Sequence, residues 1–131
     1  MTATPLSTQN LQFAAAAFRH AGDALIGIDL QGDIVLWNEH CTKLFGFTAD
    51  DALGRSIDII IPEKLRAAHW RGFNAAMASG HLASDGKARR TKALTADGGF
   101  TYATMTFAVV KDEQGETIGS VAVAREWIRE G

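Results

Sequence analysis

The chain has 131 residues, 47% apolar and 21% charged, with a formal net charge of −2 and a pI near 6.0. That is room for one domain with one core, without the basic excess of a nucleic-acid binder. A single cysteine, Cys41, excludes an intrachain disulfide framework and a multi-cysteine zinc site. No apolar run approaches the ~20 residues of a membrane span. The first twelve residues lack the pattern of a signal peptide, so a cytoplasmic location is expected.

Met1 to Ser7 is polar and is expected to be disordered. Leu11, Ala14, Ala15 and Phe18 then recur at steps of three and four, which predicts a helix over Thr8–His20, capped by Ser7 or Thr8 and closed by Gly22. An alanine-rich helix this short is marginal alone; it needs a surface, either its own domain or a second chain. Leu25–Ile28 and Ile34–Trp37 flank a turn carrying Gly32 and read as a hairpin. Asn38 suits the cap of a helix with Cys41, Leu44 and Phe45, ended by Gly46, and Thr48 with Asp51 marks another short helix.

After the apolar run Ile57–Ile61, Pro62–Glu63–Lys64 reads as a first helical turn. The helix should run to about Ser79, with Gly80 after it. Its apolar face carries Leu65, Phe73, Ala76 and Met77. His69 lies four residues from both Leu65 and Phe73, so it is expected to point inward with them. Gly80–Ala88 reads as a polar loop. Arg89–Thr95, Phe100–Lys111 and Thr117–Arg125 read as strands joined by glycine-containing turns, with Met105, Phe107 and Val109 on one face of the long one. Tight turns require antiparallel pairing. The expected architecture is therefore α+β: a five-stranded, mainly antiparallel sheet with helices on one face. A helix over such a sheet can enclose a ligand pocket, whose apolar wall is expected from Ile57, Ile59, Ile61, Leu65, Phe73, Leu94, Met105, Phe107, Val121 and Val123.

Asp23–Asp29, Gly32–Asn38, Leu44–Phe47, Gly54–Arg55, Ile60–Glu63 and Asp97–Gly99 together resemble the PAS domain family over about residues 20–125. The resemblance implies the PAS fold, with residues 1–20 as tail and cap or dimerisation helix, 21–126 as sensor domain and 127–131 as tail. Within the family, Pro62–His69 resembles the haem-binding oxygen sensors. That likeness implies haem b, with His69 as the axial iron ligand. It also implies Arg89 as the partner of bound oxygen or a haem propionate, and Met105 and Phe107 as the distal wall. Leu65, Phe73 and Val121 complete the expected cofactor contacts, and a diatomic gas is the expected ligand.

The chain departs from the family pattern at several places. Ala75 and Ala83 stand where some members have propionate partners, and Ser84 and Lys87 where others have distal residues. The closing motif, usually an acid, an aliphatic and a hydroxyl residue, reads Glu126–Trp127–Ile128.

Each signal has a plainer reading beside it. His69 is also suited to being a hydrogen-bonded core histidine, and Arg89, with Lys87, Arg90 and Lys92 around it, to a solvated basic patch. Trp37 is expected to pack in the core and Cys41 to act as a small buried hydrophobe. Ser56–Ile57–Asp58 follows Gly54–Arg55 where light-sensing relatives place a flavin-reactive cysteine, which argues against that photochemistry. His20 and His40 are expected at the surface. Adjacent Asp50 and Asp51 do not share a helix face, and no nucleophile–base pair, phosphate loop or metal-ligand spacing appears, so no enzyme activity is expected.

Two functions from different classes remain. One is a haem-based gas sensor. The other is an interaction module, homodimeric through its first helix and sheet face, with a pocket that is filled by side chains or takes a non-haem ligand. In either case a separate effector protein is expected to receive the output, unless the chain is part of a larger kinase, cyclase or phosphodiesterase.

Overall fold

The computed structural model describes residues 7–82 and 86–128; of the disorder expected over Met1 to Ser7, residues 1–6 lie outside them and Ser7 is instead fixed as a helix cap, while the end of the tail also lies outside. Helix α1 (Thr8–His20) is capped by Ser7, whose Oγ accepts from the Asn10 amide. Strands β1 (Ala24–Asp29) and β2 (Ile34–Trp37) form the hairpin. Helices α2 (Glu39–Phe45) and α3 (Ala49–Ala52) follow, capped by Asn38 and Thr48. A 3₁₀ turn over Ile57–Ile60 leads into α4 (Glu63–Ser79), which Gly80 ends in the left-handed region. Strands β3 (Arg89–Leu94), β4 (Phe100–Lys111) and β5 (Thr117–Glu126) complete the chain, with β3 one residue shorter and β5 one longer than expected.

The sheet order is β2-β1-β5-β4-β3, and every neighbouring pair is antiparallel. This is the α+β arrangement expected from the turns. The core lies between the sheet's inner face and the helices: Ile26, Ile34, Trp37, Cys41 and Phe45 are buried there. The Trp37 indole donates to the carbonyl of Phe47, so its polar edge is satisfied within the core. Cys41 donates its thiol to the Leu25 carbonyl, and burial pushes its pKa up to about 11. It is an inert core residue, as expected. Asn38 is the one buried polar side chain among the described residues. Its amide donates to the carbonyls of Phe18 and Asp23, while its oxygen accepts from the amides of Leu25 and Cys41. One side chain thus ties α1, β1 and α2 together.

Two expectations of exposure and phase are corrected. His20 is exposed and paired with Glu39, but His40 is half-buried rather than a surface residue. Val121 and Val123 lie opposite Gly27 and Leu25 on the outer face of the sheet, while Ser120 and Ala122 lie opposite Ile28 and Ile26 on the inner face. The side-chain period of a strand is two, so placing β5 one residue out of phase moves its whole apolar set to the other face.

Candidate functional site

A cavity of about 320 Å³ lies between the inner face of the sheet, the 3₁₀ turn and the first half of α4. It exists because the sheet contributes small residues where it faces α4: Ala93 on β3, with Ser120 and Ala122 on β5, leaves space that larger side chains would fill. Met105 and Phe107 on β4 form the floor, and Ile57, Ile60 and Ile61 one side. Ile26 and Ile28 of β1 close another side, and Pro62, Leu65, Ala68 and His69 cover it. Leu65 is 46% exposed and stands at the mouth. Thr91, Ser120 and His69 bring the neutral polar side chains, and Lys92 also borders the space.

The position of His69 follows from how α4 is fastened. Arg66 donates from Nε to the Ile61 carbonyl and from Nη2 to that of Asp58, while the Trp70 indole donates to Asp58 Oδ1 at 2.9 Å. These bonds lock the helix start to the 3₁₀ turn, which hangs from the hairpin through the Ile57 amide and the Gly32 carbonyl. The imidazole then stands edge-on to Trp70, with centroids 4.9 Å apart, and stacks with Phe73 at 6.1 Å and 14°. His69 Nδ1 is buried and has no hydrogen-bond partner. Burial holds the His69 pKa below its ordinary value, against the opposing pull of Asp58. The ring is therefore neutral at pH 7, the form that ligates a metal.

Of the residues expected to form the site, the structure brings together His69, Leu65, Met105 and Phe107, with Ile57 and Ile61 of the expected wall. Phe73 is buried beside His69 but packs in the core rather than in the cavity wall. Val121 is on the far side of the sheet, and Val123 and Leu94 share that outer face. Ile59 packs against the core and also lies outside the wall. Arg89 sits opposite Met105 on the cavity face of β3, but it is exposed and is not part of the wall. The wall residues not expected from the sequence are Ile26, Ile28, Ile60, Pro62, Ala68 and Lys92, with Thr91, Ala93, Ser120 and Ala122. For Thr91 and Ala93 the signal was their alternation with the charged Arg90 and Lys92.

A haem needs an imidazole, an apolar slot and a cation for its propionates. The unpartnered nitrogen of a neutral His69 and the aliphatic wall fit the first two. Arg89 is a cation on the same face, and among the described residues it makes no salt bridge. No group of three or more potential metal-binding side chains occurs among those residues.

A five-stranded antiparallel sheet ordered β2-β1-β5-β4-β3, with a cavity between its inner face and the helices, defines the class of sensory domain. The PAS fold profile matches residues 12–126, and the chain belongs to the PAS family of sensory and signalling domains. No curated protein matches the sequence. A PAS domain from Colwellia psychrerythraea superposes with a TM-score of 0.76 at 20% identity, covering 89% of this chain and 96% of that one. The VqmA dimer of Vibrio cholerae gives 0.68 at 17% identity over 94% of this chain, which spans about half (53%) of the VqmA chain. The PAS domain of a LuxR-family regulator from Burkholderia thailandensis, solved in complex with ethanol, gives 0.64 at 18% identity over 86% and 95% of the two chains. Among the described residues no helix is long and apolar enough to cross a membrane.

Proposed function

We propose that this domain is a cytoplasmic sensor that holds haem b in the cavity under His69, detects a diatomic gas, oxygen foremost, and catalyses no reaction. The observation that carries the reading is the buried, unpartnered nitrogen of a neutral imidazole on a residue that lines a largely aliphatic cavity. A bare nitrogen of this kind costs about 1–3 kcal/mol unless something binds it, and an axial metal bond would remove that cost. Bound haem would supply an iron that takes up the gas. The chain's own residues do the rest. Trp70 and Phe73 hold the ring plane, Asp58 and Arg66 fix the helix that carries it, and Met105 and Phe107 keep the far side dry. Arg89 is placed to answer a negative group at the rim.

The test is reconstitution with hemin. A Soret band that His69→Ala abolishes or shifts supports the assignment, and an unchanged spectrum removes His69 from the role.

A second reading is a small organic ligand of mixed character, favoured by the Thr91 and Ser120 hydroxyls in the wall. A colourless protein that takes up no hemin and releases a small molecule on denaturation would establish it. In either reading the output passes by assembly or to a separate effector. Helix α1 leaves Leu11 and Phe13 exposed on opposite sides of the helix, at 55% and 76%, apolar surface that a second copy of the chain would cover.

A further inference from the structure

We propose that Arg90 and Trp127 form a latch that holds the C-terminal exit of the domain against the back of the cavity wall, and that filling the cavity opens it. The proposal rests on the cavity being the sensory site, though not on which molecule fills it. Arg90, Lys92, Phe100 and Tyr102 share the outer face of the β3–β4 pair, because Arg90 lies opposite Thr104, Lys92 opposite Tyr102 and Leu94 opposite Phe100. The Arg90 guanidinium sits 4.7 Å from the centroid of Tyr102 and 4.9 Å from that of Trp127. The two rings meet edge to face at 6.2 Å. The Trp127 amide donates to the Tyr102 carbonyl at 3.0 Å, which extends the β5–β4 pairing past the end of β5. Two residues earlier, Arg125 grips the Asp23 carboxylate through Nε and Nη2 at the entrance to β1. The exit segment is thus tied to the junction behind α1 on one side and to β3 on the other.

The same strand carries both halves of the device. Thr91 and Ala93 of β3 border the cavity from the inner face, while Arg90 reaches the latch from the outer one. β3 is also an edge strand, hydrogen-bonded only to β4, so it is the cheapest wall element to displace. A cation–π contact is effective to about 6 Å from the ring centroid. A displacement of the guanidinium by little more than 1 Å from its 4.7 and 4.9 Å positions therefore begins to lose both rings. A planar guanidinium stacks on two rings as an ammonium does not. This gives Trp127, which breaks the usual closing pattern of the family, a use of its own.

Hydrogen exchange on the full chain tests the latch, with the β1 amides as an internal control for folding. Arg90→Gln should speed exchange of the Trp127 amide about tenfold with β1 unchanged, and Arg90→Lys should fall between. Thr91→Phe fills the cavity from β3 and should release Trp127 in the parent, but add nothing in the Arg90→Gln background. If Thr91→Phe loses β1 protection, Ala93→Val serves in its place. Hemin bound with a Soret band should act as Thr91→Phe does. Unchanged Trp127 exchange in Arg90→Gln overturns the latch. Release by Arg90→Gln, but not by the cavity substitutions or bound hemin, overturns the coupling and leaves the haem reading standing. Release by Thr91→Phe, together with a parent protein that takes up no hemin, supports the latch and sinks the haem assignment.

Discussion

Gly32→Ala probes the frame that aims His69. Gly32 turns the β1–β2 hairpin at φ +80°, and a Cβ built there falls inside the Trp70 ring, against Cη2 and Cζ3. Two costs add. A non-glycine residue in the left-handed region costs about 1–2 kcal/mol, and forcing a methyl into a packed contact costs about 1–3 kcal/mol. The sum is about 2–5 kcal/mol, which at a urea m-value of about 1.5 kcal/mol/M moves the unfolding midpoint down by roughly 1–3 M. Trp70 cannot simply step aside, because its indole is bonded to Asp58 and its edge supports His69. The clash is separated from the backbone cost by repeating Gly32→Ala in a Trp70→Leu background. There the penalty should shrink to the conformational part, with a coupling of about 1–3 kcal/mol between the sites. A single variant within 0.5 kcal/mol of the parent, or a cycle with no coupling, would refute the placement of Trp70 over the turn.

Other consequences follow from the same geometry. Gly119→Ala drives its Cβ into the Ile28 carbonyl, which is backbone and cannot rotate away; urea melts should show a loss at least as large as at Gly32. Ala122→Leu should fill the cavity and weaken hemin uptake tenfold or more in a spectral titration, whereas Val121→Leu, on the reverse face, should leave uptake unchanged. Because the folded-state pKa of His69 is lowered, the unfolded chain takes up its proton first as the pH falls. The stability this group contributes is complete above about pH 6.5 and is lost below it, down to the folded pKa, by at most about 1.4 kcal/mol per pH unit. Denaturation at pH 7.5 and 5.5 should show a drop that His69→Gln reduces. Deleting residues 1–20 should convert a concentration-dependent dimer to a monomer in sedimentation velocity, since this removes the exposed Leu11 and Phe13.

The fold was legible because its punctuation is local. Ser7, Asn38 and Thr48 each accept a bond from the first turn of a helix, and Gly46 and Gly80 each close one in the left-handed region. Such signals act within a few residues, and they placed every helix and strand to within a residue or so at each end. The 3₁₀ geometry of Ile57–Ile60 was not legible, because an apolar run of four residues has no period that separates strand from helix. His69 was found because helical spacing to Leu65 and Phe73 fixes a direction on α4. Arg89 was expected to meet a bound group, and it lies on the cavity face opposite Met105 but exposed, because a side chain at a strand end has no pattern to show how far inward it reaches.

The misplacement of Val121 has a physical cause that bears on function. Strands are usually phased by setting the bulkier apolar residues inward, yet here the inner face of β5 reads Ser120, Ala122 and Ala124 while the outer reads Val121 and Val123. Beside the large Met105 and Phe107 of β4, space is left only where the neighbouring strand turns small side chains inward, so on β5 the ordinary rule inverts. The inversion leaves β-branched and aliphatic residues, Leu36 at 44% exposure among them, on the outer face. An apolar outer face gains nothing from water. The alternation that opens the pocket on one side of the sheet thus leaves apolar side chains on the other, so the proposed ligand site and the proposed contact face would share the same strands.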